Sequence, residues 1–156
     1  MRSPYQILIF PFYRQDNELL YALFKRNDLK AWQGIAGGGE EGETPIKTAT
    51  REAYEEAGIS PQSKMIQLSS TASIPVVNIS GFIWGEDTLI VPEFSFGVES
   101  MSKTIKISHE HSVYKWFTYD EAMKKLKWDS NKTALWELNY RLLNKKLSNI
   151  QRPYGY

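Results

Sequence analysis

The chain begins with two segments whose hydrophobic pattern is typical of β-strands. Residues 5–14 and 18–26 are rich in β-branched and aromatic side chains, and three polar residues at 15–17 separate them. This arrangement predicts a β-hairpin. The next stretch, 28–43, is rich in glycine and polar residues, and a short strand is expected around 32–36.

A helix with clear start and stop signals follows. Thr44 is a good N-cap residue, and Pro45 suits the first helical position. Gly58 provides the stop signal. At ~100° per residue, one narrow apolar stripe contains Ile46, Ala49, Ala53 and Ala57. The small alanines predict close packing of this helix on a sheet.

The rest of the chain predicts more strands and then two helices. The strand-like segments are 64–74, 80–85, 87–99 and 111–118. The helical segments are 119–128 and 130–147. The order strands, helix, strands, helices is typical of an α+β fold, an α/β/α sandwich with a mixed β-sheet. With 156 residues, the chain is expected to form one domain, 1–156.

The amino-acid composition narrows the range of functions that the protein could have. The net charge is +1, which argues against a broad surface for a nucleic-acid polymer. The sequence has no cysteine, which excludes disulfides, thiolate metal sites and a cysteine nucleophile and fits a cytoplasmic location. The sequence has no signal-peptide pattern and no apolar run of the ~20 residues that a membrane span needs, so we expect no membrane association.

Acidic residues are concentrated in one place on the predicted helix. Glu52, Glu55 and Glu56 lie at i, i+3 and i+4, where like charges repel. A solvated helix face is the common explanation, but such a face usually balances Glu with Lys, and the only lysine of the helix is Lys47. Carboxylate oxygens gathered in this way suit Mg²⁺. Arg51 is placed to pair with Glu55.

Residues 37–59 resemble the Nudix box, the motif of the Nudix hydrolase family. The motif has nine defined positions across 23 residues, and each is matched: Gly37, Glu43, Arg51, Glu52, Ala53, Glu55, Glu56, Gly58 and Ile59. The family folds as an α/β/α sandwich, and its enzymes hydrolyse a nucleoside diphosphate linked to another moiety. The resemblance therefore implies a hydrolase and agrees with the fold read from the hydrophobic pattern.

The resemblance also implies roles for individual residues. Glu52, Glu55 and Glu56 would bind Mg²⁺, for which Mn²⁺ is a possible substitute, and the backbone carbonyl of Ala36 would be a further ligand. Arg51 and Glu43 would be orienting partners, with Arg51 anchoring the catalytic helix. The proton acceptor for the attacking water would be a box glutamate, Glu55 or Glu56, or a glutamate outside the box. The structural positions of the box would be Gly37, Glu43 and Gly58.

A second segment, 110–117, resembles one shared by two subgroups of the family. These are the bacterial dihydroneopterin triphosphate pyrophosphohydrolases and the asymmetric diadenosine tetraphosphate hydrolases. In both, the matching glutamate lies over the metal site, so Glu110 is a candidate metal ligand or general base. From spacing alone, the same residues also fit a polar turn before a strand.

Two stretches resemble the dihydroneopterin triphosphate subgroup more closely, namely 27–44 and 127–134. On this reading Lys25 and Arg26 would meet phosphates, Trp32 would flank a pterin or purine ring, and Asn131 would bind substrate. The main expectation is a Mg²⁺-dependent pyrophosphohydrolase of a pterin or nucleoside triphosphate, acting as a monomer or homodimer. The alternatives are a dinucleoside polyphosphate hydrolase and a non-catalytic nucleotide-binding module.

Overall fold

The computed structural model describes residues 1–28, 30–108 and 111–145. The strands in this part of the chain are β1 (Arg2–Gln15), β2 (Glu18–Arg26), β3 (Trp32–Gln33), β4 (Ile35–Glu40), β5 (Met65–Pro75), β6 (Ile90–Glu99) and β7 (His111–Phe117). The helices are α1 (Pro45–Ala57), α2 (Tyr119–Lys125) and α3 (Asp129–Leu143), with a short 3₁₀ turn at Val76–Asn78. None of these helices has the length and apolarity to cross a membrane.

The seven described strands form one mixed sheet. Its order is β3-β2-β1-β6-β5, while β4 also pairs with β1 and β7 also pairs with β2. The β1–β6 pair is parallel and the other pairs are antiparallel. The predicted α+β sandwich with a mixed sheet is therefore confirmed.

Alternating side chains divide the sheet into two apolar faces. We call the face under α1 the α1 face, and it carries Ile7, Ile9, Phe24, Phe96 and Val98. We call the opposite face, under α2 and α3, the α3 face, and it carries Leu8, Phe10, Phe12, Tyr21 and Leu23. Two buried cores thus fix the helices on opposite sides of β1, which contributes to both.

The structure confirms the predicted hairpin and the predicted ends of the first helix. Residue pairs Gln15↔Glu18 and Arg14↔Leu19 close the hairpin around residues 16–17. Thr44 Oγ1 accepts a hydrogen bond from Lys47 N at 3.4 Å. Gly58 ends α1 with φ +68°, a left-handed conformation that glycine adopts without strain.

The predicted apolar stripe of α1 is only partly right. Ala49, Ala53 and Ala57 are buried, but Ile46 is 37% exposed. Thr48 is buried in the same helix and hydrogen-bonds with the Tyr5 hydroxyl at 2.6 Å. The helix therefore meets the sheet through small residues and a polar contact.

Other segments also differ from the prediction, and the strand predicted at 87–99 begins at Ile90. Residues 80–85 form turns instead of a strand, because Gly81 and Gly85 have positive φ values of +74° and +105°. The α2 helix ends at Lys125 because Leu126 is extended and bridges to Trp32. The α3 helix begins at Asp129, and the end predicted at 147 lies outside the described residues.

Candidate active site

Helix α1 and strand β4 place the residues of the predicted site side by side. The helix is held at both ends, so its side chains have fixed directions relative to the sheet. Along the helix Glu52 is buried, Glu56 is half-buried and Glu55 is exposed. The three carboxylates therefore run from the sheet surface outward to solvent along one edge of α1.

Arg51 is the centre of an ion-pair network beside these carboxylates. Its guanidinium binds both oxygens of Glu43, with Nε–Oε2 at 2.8 Å and Nη2–Oε1 at 3.0 Å. It also donates to the Gly38 carbonyl oxygen at 3.0 Å. Hydrogen bonding from Arg51 lowers the pKa of Glu43 to about 2. The bidentate contact holds Arg51 in one position.

The same guanidinium reaches two of the predicted metal ligands. Arg51 Nη1 lies 2.9 Å from Glu52 Oε1 and 3.2 Å from Glu55 Oε2. The predicted Arg51–Glu55 pair is present in the structure, and Glu43 is the stronger partner. Thr48 supports the network because its hydroxyl donates to Glu43 Oε1 at 2.9 Å.

Glu52 lies against a glycine of β4. Its side chain is 11% exposed, and burial raises its pKa to about 7 although the charge of Arg51 opposes the rise. A Cβ on Gly37 would lie 2.7 Å from Glu52 Oε2, which is closer than real contacts allow. Glycine at this position therefore leaves the space that the Glu52 carboxylate occupies.

Glu56 is held from the other side by the segment that leads to β7. The Ser108 hydroxyl donates to Glu56 Oε2, and Ser108 N donates to the Glu56 carbonyl oxygen at 3.1 Å. Lys106 N likewise donates to the Ala57 carbonyl oxygen at 3.1 Å. Glu110 follows Ser108 by two positions in the sequence but lies outside the described residues. Its role stays a prediction.

The predicted ligand atoms match the chemical preference of a divalent cation. The predicted ligands are all oxygens, from Glu52, Glu55, Glu56 and the Ala36 carbonyl, and hard cations such as Mg²⁺ prefer oxygen. The Glu52 carboxylate is buried in the space that Gly37 leaves, where a cation would offset the cost of its charge. Among the described residues, however, no three carboxylate or histidine groups converge closely enough to hold a metal.

Three of the four predicted substrate residues line one cavity. Lys25, Arg26 and Trp32 surround a volume of about 570 Å³, together with Lys30 and Lys115. Lys25 Nζ lies 5.9 Å from the centre of the Trp32 ring. The cavity is basic and carries one large aromatic face, which is compatible with the predicted contacts to phosphates and a ring.

Asn131 does not line that cavity. It is 5% exposed, and its Oδ1 accepts a hydrogen bond from Gly34 N at 3.0 Å. This bond ties the first turn of α3 to the loop between β3 and β4. The substrate role of Asn131 stays a prediction, and its structural role was not foreseen.

A buried acidic residue on the α3 face was not predicted from the sequence. Glu93 on β6 is 8% exposed, and burial raises its pKa to about 7. The alternation of the strand was a usable signal, because Glu93 has the same parity as Val91, Ser95 and Gly97. The parity alone does not show which face of the strand is buried under a helix, because that depends on the order of the strands in the sheet.

The comparisons with known proteins identify the family. A family model described as the NUDIX domain matches residues 3–136. This span is most of the chain, so the chain belongs to the Nudix family. The chain is a hydrolase that acts on pyrophosphate bonds.

Among curated relatives, the chain is similar to dihydroneopterin triphosphate diphosphatase of Escherichia coli strain K12. The two are 28% identical over 137 residues, which cover 86% of this chain and 91% of the relative. The structure of the E. coli dihydroneopterin triphosphate pyrophosphohydrolase superposes with a TM-score of 0.70 at 26% identity, covering 88% of this chain and 97% of the other.

Two further solved structures are similar. A NUDIX hydrolase structure from Listeria monocytogenes has a TM-score of 0.85 and 39% identity, covering 93% of this chain and 98% of that one. A C. elegans Ap4A hydrolase has a TM-score of 0.71 and 15% identity, covering 91% and 99%. At that identity the C. elegans structure supports the fold alone.

Proposed function

We propose that this protein is a divalent-cation-dependent pyrophosphohydrolase that cleaves a pterin or nucleoside triphosphate. The products would be the monophosphate and pyrophosphate. The observation that carries the proposal is the edge of α1, where Glu52 is buried over Gly37, Arg51 is clamped by Glu43, and Glu56 is held by Ser108. The similarity to the E. coli enzyme, over most of both chains, supports a triphosphate substrate.

The residues would divide the chemistry among them. Glu52 and Glu56, with Glu55 and the Ala36 carbonyl, would hold Mg²⁺ or its substitute Mn²⁺. When bound, the ion supplies positive charge at the phosphates and makes water more acidic. A carboxylate, Glu55, Glu56 or Glu110, would accept the proton of the attacking water. The new P–O bond forms in line as the bridging P–O bond breaks, and pyrophosphate leaves.

Arg51 would act by positioning and would not touch the reacting atoms. Its contacts to Glu43 and Gly38 fix the guanidinium, which in turn limits where Glu52 and Glu55 can point. Preorganised ligands lower the cost of assembling a charged site. The cavity with Lys25, Arg26 and Trp32 would receive part of the substrate. A cytoplasmic location remains the expectation.

A dinucleoside polyphosphate hydrolase is the second candidate. The segment 110–117 resembles that subgroup and the dihydroneopterin triphosphate subgroup almost equally. A nucleotide-binding module without catalysis is a third, weaker candidate, because such modules usually have a degraded box and this box is intact.

One substrate panel separates the three candidates. Dihydroneopterin triphosphate, the four common dNTPs and diadenosine tetraphosphate are incubated with the protein and Mg²⁺, and the products are identified by chromatography. We expect monophosphate and pyrophosphate from a triphosphate. Turnover of the dinucleotide alone would overturn the proposal. Binding by calorimetry with no hydrolysis of any compound would favour the binding module.

A further inference from the structure

Glu93 lies on the α3 face of the sheet, away from helix α1. Its strand β6 runs in continuous register with β1, pairing Glu93 with Gln6 and Gly97 with Phe10. A Cβ on Gly97 would lie 2.8 Å from Leu138 Cδ2, so this parity of β6 faces α3. Glu93 has the same parity as Gly97 and therefore shares its face.

The Glu93 carboxyl group has no described partner. It is 8% exposed, and within residues 1–28, 30–108 and 111–145 no group donates a hydrogen bond to it or forms an ion pair with it. Its register neighbour Gln6 is already engaged. In the amide orientation that satisfies both groups, Gln6 donates to the Gly37 carbonyl oxygen at 3.1 Å and accepts from Arg2 Nη2 at 2.8 Å.

An unpartnered buried carboxyl is costly, so its presence needs an explanation. Burial alone raises the pKa of Glu93 to about 7. The Ser95 hydroxyl lies on the same face, one pleat further along β6. Ser95 is 3% exposed, and its hydroxyl likewise lacks a hydrogen-bond partner among the described residues. Two buried polar groups on one patch of sheet are thus left for something else to satisfy.

Small residues flank Glu93 on the strands to either side of β1 and β6. Glu93 is in register with Gln6 on β1, with Ala72 on β5 and, beyond β1, with Gly38 on β4. Ala36 lies two residues further along β4, opposite the buried Leu8 of β1. Ala36, Gly38 and Ala72 are half-buried. This contrasts with the other end of the face, which is filled by Phe10, Phe12 and Tyr21. We call the patch formed by Ala36, Gly38, Ala72, Glu93 and Ser95 the polar bed.

The polar bed meets the predicted metal site at Ala36 on β4, whose carbonyl oxygen is a predicted ligand, whereas the Glu52 carboxylate lies on the α1 face of the sheet. Ala36 and Glu93 are two strand spacings apart across the sheet and two residues apart along it, a separation of about 12 Å between Cα atoms. A flat heterocycle joined to phosphates through a sugar or short side chain has a comparable reach. A substrate with its phosphates near Ala36 could therefore place a ring edge at Glu93.

We propose that Glu93 determines substrate specificity by accepting two hydrogen bonds from the adjacent N–H and NH₂ groups of a 2-amino-4-oxopyrimidine ring. Pterins and guanine share this ring edge. Adenine presents an NH₂ beside a ring nitrogen that is an acceptor, so it offers a carboxylate one bond and one repulsion. This inference rests on the proposed function and names the substrate class of that site, against an adenine dinucleotide.

The first test changes the ligand and leaves the protein intact. Calorimetry with Mg²⁺ measures the Kd of the α,β-methylene triphosphates of guanosine, inosine and adenosine, which cannot be cleaved between the α and β phosphates. Inosine lacks only the 2-amino group of guanosine. We expect inosine to bind about 10- to 100-fold more weakly, the value of a hydrogen bond to a charged group. Equal affinity for guanosine and inosine, or no binding of either, would overturn the inference.

The second test changes the protein. Glu93→Gln replaces one hydrogen-bond acceptor by a donor. The affinity of the protein for the guanosine analogue should therefore fall about 10- to 100-fold, while its affinity for the adenosine analogue stays the same or rises. Glu99→Gln makes the same change at a half-exposed position of the same strand and should alter neither. Equal loss for all three nucleotides would indicate a merely structural Glu93. Circular dichroism checks folding, and if Glu93→Gln does not fold, the guanosine–inosine ratio of the unaltered protein decides.

These outcomes are separable from failure of the proposed function. Binding is measured with compounds that the protein does not cleave, so it needs no turnover. A protein that hydrolyses nothing but prefers guanosine over inosine would contradict the proposed function and support the role of Glu93. A protein that hydrolyses triphosphates without base preference would do the reverse.

Discussion

Glu52 and Glu93 are both buried glutamates whose pKa values are raised to about 7, but they lie on opposite faces of the sheet. Beside Glu52, burial is opposed by the Arg51 guanidinium at 2.9 Å. Beside Glu93, burial acts alone. Similar pKa values therefore arise from different surroundings. The Glu52 carboxyl belongs to a charged network, whereas the Glu93 carboxyl is buried among uncharged neighbours.

The difference separates two tasks that a hydrolase of this kind must perform. Carboxyl groups gathered beside an arginine offer several oxygen ligands and suit a cation. A lone buried carboxyl with no donor nearby suits a ligand that brings its own N–H groups. The α1 face would thus perform the chemistry, while the α3 face would recognise the ring. Each prediction below tests one half of this division.

The largest expected effect is on the α1 face, at Glu56. Glu56→Gln keeps the size of the side chain and an acceptor for the Ser108 hydroxyl but removes the charge. We expect kcat to fall about 10²- to 10⁴-fold, the range of a lost acid–base or ligand group, while thermal unfolding changes little. Steady-state kinetics and calorimetric melting measure the two quantities.

The control is Glu41→Gln in the turn between β4 and α1, where the side chain is 82% exposed. It should leave kcat unchanged. Near-normal turnover of Glu56→Gln would remove Glu56 from the proposed metal site. A large loss in both variants would indicate a general effect of negative charge.

The sequence was most informative where local signals agree. Thr44, Pro45 and Gly58 mark the ends of α1 from residue types alone, and the box motif identified Arg51 and Glu52. The role of Arg51 as the partner of Glu43 was implied by resemblance, and the structure shows how eight residues of separation close into a bidentate pair.

Features that depend on contacts between distant parts of the chain could not be predicted from the sequence. The segment 80–85 contains Phe82, Ile83 and Trp84, which read as a strand, but two glycine turns and the Trp84 Nε1 bond to the Arg2 carbonyl oxygen fix it as a loop. Glu93 was missed because its burial depends on pairing with β1 and β5. Strand parity is visible in a sequence, whereas the partner strands and the covering face are not.

The pH dependence of stability tests the α3 face. The folded-state pKa of Glu93 is above its unfolded value of 4.5, so the folded protein keeps a proton that the unfolded chain loses. Stability should therefore fall as pH rises from about 4.5 to about 7 and level off above that, with a contribution of at most about 3 kcal/mol. Urea unfolding at pH 5 and pH 8 measures it.

Glu93→Gln should flatten this pH dependence, since an amide does not titrate. Glu52 is present in both proteins, so its own contribution cancels in the difference between them. An identical slope in the variant and the unaltered chain would mean that Glu93 finds a donor in the folded protein. That result would remove the contrast with Glu52.

Two glycine substitutions compare the faces directly. A Cβ at Gly97 meets Leu138 on the α3 face, and a Cβ at Gly37 meets Glu52 on the α1 face. Gly97→Ala overpacks the core and should lower the free energy of unfolding by about 1–3 kcal/mol with kcat retained. Gly37→Ala should displace the Glu52 carboxylate and lower kcat about tenfold or more, with a smaller loss of stability.

Each variant is the control for the other, because the chemical change is the same. Urea unfolding and steady-state kinetics on both proteins give the four values needed. If Gly37→Ala lost stability and kept its kcat, the Glu52 carboxylate would not need its place beside β4. If Gly97→Ala lost kcat alone, catalysis would depend on the α3 face as well.

The smallest expected effect is at Lys25, which lines the basic cavity and has the parity of Leu23 on the α3 face. Lys25→Met keeps the length of the side chain and removes its charge, so KM for a triphosphate should rise about twofold to fivefold with kcat unchanged. The rise should shrink at high salt, because the interaction is screened. Lys124→Met, at an exposed position of α2, is the control. An unchanged KM at low salt would place the phosphates away from this cavity, and ring recognition at Glu93 would then have to orient the substrate without it.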